Sequence, residues 1–192
     1  MRHIWLYQDW AKVPLKRLRY EFVKTASNRP KLGDLTVRDL CCLAKDPWLP
    51  IGLYVFTDGS EILYTGKTHG RSFHERMISH LDHRKPVEGS PHLAQLVQSV
   101  VKKGDAVSAD EAVQKVLDMR IAWLPVPDLG IGSDNHKKLI AMIERRLLWK
   151  DCLDPRYNSP RVKKNDVFTL KGERYQLTPD VLTGCFTSLR AE

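Results

Sequence analysis

The sequence holds only four cysteines, Cys41, Cys42, Cys152 and Cys185, and none falls in a Cys-x-x-Cys spacing. Adjacent Cys41 and Cys42 make a poor chelating pair, which argues against a structural zinc site. Long apolar runs are also missing. The start, Met1-Arg-His-Ile-Trp5, does not read as a secretory leader, and no segment approaches the roughly 20 apolar residues of a membrane span. Reduced thiols in a cytoplasmic protein are therefore the expectation. Internal repeats, low-complexity tracts and the spacings of zinc fingers or helix-turn-helix units are lacking too. Acidic residues are the scarcer charge, 23 Asp and Glu against 31 Lys and Arg, for a net charge of +8 and a sequence pI near 9.4. That excess favours an anionic partner, because clustered Lys and Arg release counterions from a phosphate backbone. The hydrophobic and charged fractions are ordinary, so wholesale disorder is not expected, and 192 residues suffice to bury a core.

The pattern divides the chain into a basic extension over 1–50, a core over 51–158 and a C-terminal extension over 159–192. In the first part, Leu15, Leu18, Phe22 and Val23 predict a short amphipathic helix. In the core, Ile51–Phe56 and Glu61–Thr65 read as strands about an Asp58-Gly59 turn, with Gly66–Gly70 as a loop. A helix is predicted over 71–83 on Phe73, Met77 and Leu81. Others are predicted over 92–103, 110–117 and from Ser133 or Asp134 to about Cys152. Met119, Ile121 and Trp123 suggest a third strand with alternate residues turned inward. Val167–Leu170 and Arg174–Leu177, on either side of Lys171-Gly172, predict a terminal hairpin. The sum is an α+β fold with a small, mostly antiparallel sheet flanked by helices.

Several side chains carry possible chemistry. Tyr54 and Tyr64 come near one another across the first hairpin, although aromatic residues are also simply good strand formers. Arg76 and His80 are four apart and share a helix face. An Arg beside a neutral His suits phosphate chemistry, the one to stabilise charge and the other to accept a proton. Glu144 lies beside the apolar stripe of the long helix, where one carboxylate could hold one hard cation through oxygen. Asn158 follows the helix stop, as turn residues often do.

Taken in order, these residues resemble the GIY-YIG nuclease superfamily. Gly52-Leu53-Tyr54 is a variant of its first triplet and Tyr64-Thr65-Gly66 of its second, with Lys67 following. Arg76 and His80 fall at the family's Arg-x-x-x-His spacing. Glu144 in Glu-x-x-Leu-Leu matches its metal-binding glutamate, and Pro-x-Tyr-Asn ends at Asn158. The resemblance covers residues 51–158. The triplet centres, Leu53 and Thr65, depart from the family's Ile. A long stretch between Lys103 and Ser133 leaves Glu111 as an alternative carboxylate.

The resemblance implies hydrolysis of a phosphodiester with one Mg²⁺ or Mn²⁺ on Glu144. Tyr54 is the candidate general base, helped by His80, Lys67 or the metal, since an unperturbed phenol with a pKa of about 10 is a poor base at neutral pH. Tyr64 would orient water or phosphate, Arg76 would stabilise the transition state, and Asn158 would hold the site together. Gly52 and Gly66 would leave room for a phosphate backbone, with Arg71 nearby. The basic run Arg156, Arg161, Lys163, Lys164, Lys171 and Arg174 would track phosphates on either side of the cut. The layout is most similar to restriction-endonuclease-type members. The leading expectation is thus a double-strand DNA endonuclease, with sequence specificity and a homodimer that cuts both strands as its natural extensions. A structure-selective repair or recombination nuclease and a non-catalytic nucleic-acid-binding module remain the alternatives. A homing-type nuclease is disfavoured by the lack of a long linker.

Overall fold

The computed structural model describes residues 13–36, 39, 52–69, 73–82, 95–126, 133–148, 153–158, 167–170 and 173–176. Arg71, Arg161, Lys163, Lys164 and all four cysteines lie outside the described residues. The chain order is helix α1 (Leu15–Ala26), a 3-10 turn (Leu32–Asp34), strands β1 (Gly52–Thr57) and β2 (Ile62–Thr68), and helices α2 (Phe73–Leu81), α3 (Gln95–Lys102) and α4 (Ala109–Asp118). Strand β3 (Arg120–Pro125), helix α5 (Ser133–Leu147) and strands β4 (Val167–Leu170) and β5 (Glu173–Gln176) complete it. The fold is α+β. Its central sheet has three strands in the order β2-β1-β3, with both pairings antiparallel. The expected terminal hairpin is present as the β4–β5 pair. No helix among the described residues is long and apolar enough to cross a membrane.

Three details differ from expectation. First, β2 runs on to Thr68, so the stretch from Gly66 is strand rather than loop. Gly52, Leu53 and Tyr54 need partners, and Thr68, Lys67 and Gly66 provide them. Second, β3 does not alternate between core and solvent. Ala122 and Leu124 are buried as completely as Ile121 and Trp123. Helices cover both faces of the sheet, so every β3 residue from 121 to 124 meets protein. Third, the described part of the segment expected as an N-terminal extension reaches the sheet. Helix α1 packs on the three strands, and Leu18, Phe22 and Ala26 are buried.

Strand register sorts the core into two halves. Tyr54, Phe56, Tyr64, Ile121 and Trp123 share one face and pack with Phe73 and Met77 of α2, Leu96, Val97 and Val100 of α3, and Ala112 and Val116 of α4. Leu53, Val55, Ala122 and Leu124 belong to the opposite face, towards which α1 and α5 bring Phe22, Ile140, Ile143 and Leu147. Both sheet edges are covered. At β3, Leu32 N–H donates to Met119 O at 2.8 Å and Ile121 N–H to Pro30 O at 3.2 Å. At β2, Arg156 N–H donates to Ile62 O at 3.2 Å and Tyr157 N–H to Leu63 O at 2.8 Å. Edges closed in this way do not template pairing with other chains.

The turn between β1 and β2 holds four residues. Gly59 takes φ +99°, a left-handed conformation that favours glycine. Asp58 Oδ1 accepts from the backbone N–H of Ser60 at 2.7 Å and of Glu61 at 2.9 Å, which fixes the loop.

Candidate active site

Antiparallel pairing places Tyr54 opposite Gly66 and Phe56 opposite Tyr64, so both tyrosines leave the same side of the hairpin. Their rings stack at 6.2 Å between centroids with an interplanar angle of 28°. They point to α2, as the spacing of Arg76 and His80 requires. His80 Nε2 lies 2.6 Å from the Tyr54 hydroxyl, and Arg76 Nε–H donates to the same oxygen at 3.3 Å. The His80 ring also meets Tyr64 edge-on, 5.0 Å between centroids.

Burial settles the protonation states. Tyr54 is 0% exposed and its hydroxyl is held well above the usual phenol range, first by burial and then by Tyr64 beside it. It therefore keeps its proton. His80 is 2% exposed, and burial followed by the Arg76 charge lowers its pKa to about 3. It is therefore neutral. Arg76 can only donate, so the Tyr54 oxygen accepts from Arg76; with the imidazole proton on Nδ1, the Tyr54 O–H donates to His80 Nε2. Burial likewise raises the Tyr64 phenol, with Arg76 pulling it back and Glu144 adding to the rise. Burial alone would lower Arg76, but the two phenols and Glu144 outweigh it, so its cationic form is reinforced.

Glu144 and Lys67 form a second group at the β2 side of the sheet. Lys67 Nζ is 2.7 Å from Glu144 Oε2, with side chains only 25% and 16% exposed. The carboxylate is close enough for its charge to bear on Tyr54, Tyr64 and Arg76. Asn158 makes the third group. Its Oδ1 accepts from Thr65 N–H at 2.8 Å and its Nδ2 donates to Thr65 O at 2.9 Å. The side-chain amide thus imitates a strand residue and extends the edge pairing begun by Arg156 and Tyr157. This pins the residue between Tyr64 and Gly66.

Several expected roles change. Gly52 and Gly66 do not leave room for a phosphate backbone, because protein already fills the space beside them. A Cβ on Gly66 would lie 2.8 Å from Tyr54 Cε2 and nearer still to its Cζ and hydroxyl oxygen. A Cβ on Gly52 would meet Leu124 O at 2.6 Å and Trp123 Cζ2 at 3.2 Å. Both glycines permit close packing. Arg156 is engaged in ion pairs. Its guanidinium bonds both Asp105 oxygens and reaches Glu61 at 3.3 Å, which anchors the Tyr157-Asn158 segment. Glu111, the alternative carboxylate, is committed to a helix cap. Ser108 Oγ accepts from Glu111 N–H at 3.2 Å while Glu111 Oε2 accepts from Val107 N–H at 2.8 Å. Phe73 and Trp123 read from sequence only as core residues of a helix and a strand. Phe73 meets the Tyr54 ring edge-on at 6.2 Å and Trp123 at 4.6 Å, so they wall the tyrosine in. Their apolar periodicity marks them as core and carries no sign of this position.

Among the described residues, no group of three or more His, Cys, Asp or Glu side chains converges. A single carboxylate still suits Mg²⁺, which keeps several waters and takes one or two carboxylates together with substrate phosphate. Glu144 Oε2 is held by the Lys67 ammonium. Compared with family models, curated proteins and solved structures, the chain matches none.

Proposed function

We propose that this chain is a metal-dependent endonuclease of the GIY-YIG type that hydrolyses phosphodiester bonds in double-stranded DNA. The observation that carries the proposal is the chain of contacts from Arg76 through the Tyr54 hydroxyl to His80 Nε2. A neutral imidazole behind a buried phenol, with a guanidinium on the same oxygen, is an arrangement for moving one proton beside an anion.

A free phenolate is not needed. In the substrate complex the attacking water must reach the otherwise buried Tyr54 hydroxyl. As it bonds to phosphorus, the P–O bond to the leaving sugar oxygen breaks, and the water's proton passes to the Tyr54 oxygen while the Tyr54 proton passes to His80 Nε2. The leaving oxygen takes a proton from solvent, to which His80 afterwards returns its own. The phenol remains a phenol, and the imidazolium forms only while charge develops on the phosphate. Arg76, half-buried and firmly cationic, faces that growing charge and reduces its repulsion of the new imidazolium once phosphate is bound. Tyr64 holds water or phosphate by its hydroxyl, and Asn158 fixes the strand that carries it. Glu144 would hold the Mg²⁺ or Mn²⁺, which supplies charge neutralisation at a phosphate oxygen when bound. No covalent enzyme intermediate is required. A homodimer would place two such sites on the two strands.

Incubation of supercoiled plasmid with the purified chain, with Mg²⁺ and with chelator, tests the reading. Nicked or linear product only with the metal supports it, and binding without cleavage would point to a nucleic-acid-binding module. Ends at one sequence would assign a restriction-type activity, while cuts confined to branched substrates would assign a structure-selective one.

A further inference from the structure

Lys67 belongs to the strand residue paired with Leu53, on the sheet face opposite the tyrosines, yet its ammonium reaches Glu144 Oε2 at 2.7 Å. Three features set this contact apart from an ordinary surface pair. Both side chains are three-quarters or more shielded, so salt screens them weakly. The carboxylate is the one on which the proposed function relies. Among the described residues no group of three or more acids, histidines or cysteines converges on it. An ammonium and a divalent cation on one carboxylate would repel one another at close range in a partly shielded site.

We infer that Lys67 is a resident cation that competes with the divalent metal for Glu144, and that metal loading releases its ammonium to meet a phosphate of the substrate. The inference rests on the nuclease reading for the identity of the metal. The lysine stem has four rotatable carbons, so the ammonium can leave the carboxylate without any backbone shift. Charge explains what the exchange accomplishes. With Lys67 on Glu144 the pair is neutral. With the metal on Glu144, the same two residues and the ion carry two positive charges, close to Arg76. Such an accumulation is favourable only when an anionic backbone is present. Metal and DNA therefore bind cooperatively, each raising the affinity for the other by the same factor. The free protein holds metal weakly, which limits unproductive loading.

The test is a Mn²⁺ titration of the full chain without DNA, read by the electron spin resonance signal of the free ion. Wild type should bind weakly. Lys67→Met, which keeps the stem and removes the charge, should bind about fivefold more tightly, equivalent to about 1 kcal/mol. Lys67→Gln should behave in the same way and serves if the first variant does not fold. Lys67→Arg keeps the competing charge and should stay near wild type. Glu144→Gln should lose the saturable site. Equal or weaker binding in both neutral variants, with binding still dependent on Glu144, would overturn the competition and leave the metal assignment standing. Absence of any Glu144-dependent binding in wild type and variants would overturn both.

Discussion

Replacing Gly66 with alanine adds one methyl group where the Tyr54 ring already lies. The new Cβ would sit 2.8 Å from Tyr54 Cε2 and closer to the hydroxyl end. The ring cannot simply swing aside. Phe56, Tyr64, Phe73 and His80 surround it at centroid distances of 5.8, 6.2, 6.2 and 5.5 Å, and its hydroxyl is tied to His80. Overpacking of a closed site costs about 1–3 kcal/mol. Breaking the Tyr54–His80 hydrogen bond adds about 1 kcal/mol. The expected loss is therefore about 2–4 kcal/mol. With a urea dependence of about 2 kcal/mol per molar, the unfolding midpoint should fall by about 1–2 M. In a Tyr54→Leu background the ring is gone, and the same Gly66→Ala change should cost little, the reduced freedom of alanine in the unfolded chain acting in favour of the fold. A double-mutant cycle thus reads the contact directly. Unchanged stability of Gly66→Ala in the wild-type background would mean that the phenol does not cross Gly66, and the whole Tyr54 geometry would fall with it.

Arg76→Ala should lower single-turnover cleavage by about 10²–10³, as removal of a transition-state charge partner typically does, with a much smaller change in the unfolding midpoint. Asn158→Ala strips Thr65 N–H and C=O of their partners and should destabilise the fold by about 2–3 kcal/mol in urea titrations; Asn158→Asp, which cannot donate to Thr65 O, should not rescue it. His80 resists protonation in the fold, with a pKa of about 3, whereas the unfolded imidazole takes a proton near 6.5. Its contribution to stability is complete above pH 6.5 and declines as pH falls towards 3, so His80→Asn should flatten that part of the stability profile, and an unchanged slope would remove His80 from it.

The residues with local periodicity were legible from sequence. Two tyrosines on one hairpin face and an Arg and a His one turn apart follow from the periods of strand and helix, and the structure unites all four. The helix that carries Glu144 was legible, but the attachment of Glu144 to Lys67 was not, because residues 77 apart in sequence meet only once α5 has packed on β2. The two glycines show a different limit. A glycine in a strand pattern signals a close approach without saying whether ligand or protein makes it, and at Gly52 and Gly66 it is protein. Asn158 reads as a turn residue, since nothing local announces that its amide will complete the edge of β2. The alternation predicted for β3 failed because α1, read as part of an extension, covers the second face of the sheet.

The central claim is that Glu144 carries the cation while Tyr54, His80 and Arg76 handle the proton and the phosphate. Its most direct test is plasmid cleavage by Glu144→Gln in Mg²⁺, alongside DNA binding in chelator. The substitution preserves shape and removes the charge. Cleavage should disappear while duplex binding stays within about twofold of wild type, as expected for a protein whose DNA affinity comes mostly from basic side chains on backbone phosphates. Cleavage at the wild-type rate by Glu144→Gln would contradict it.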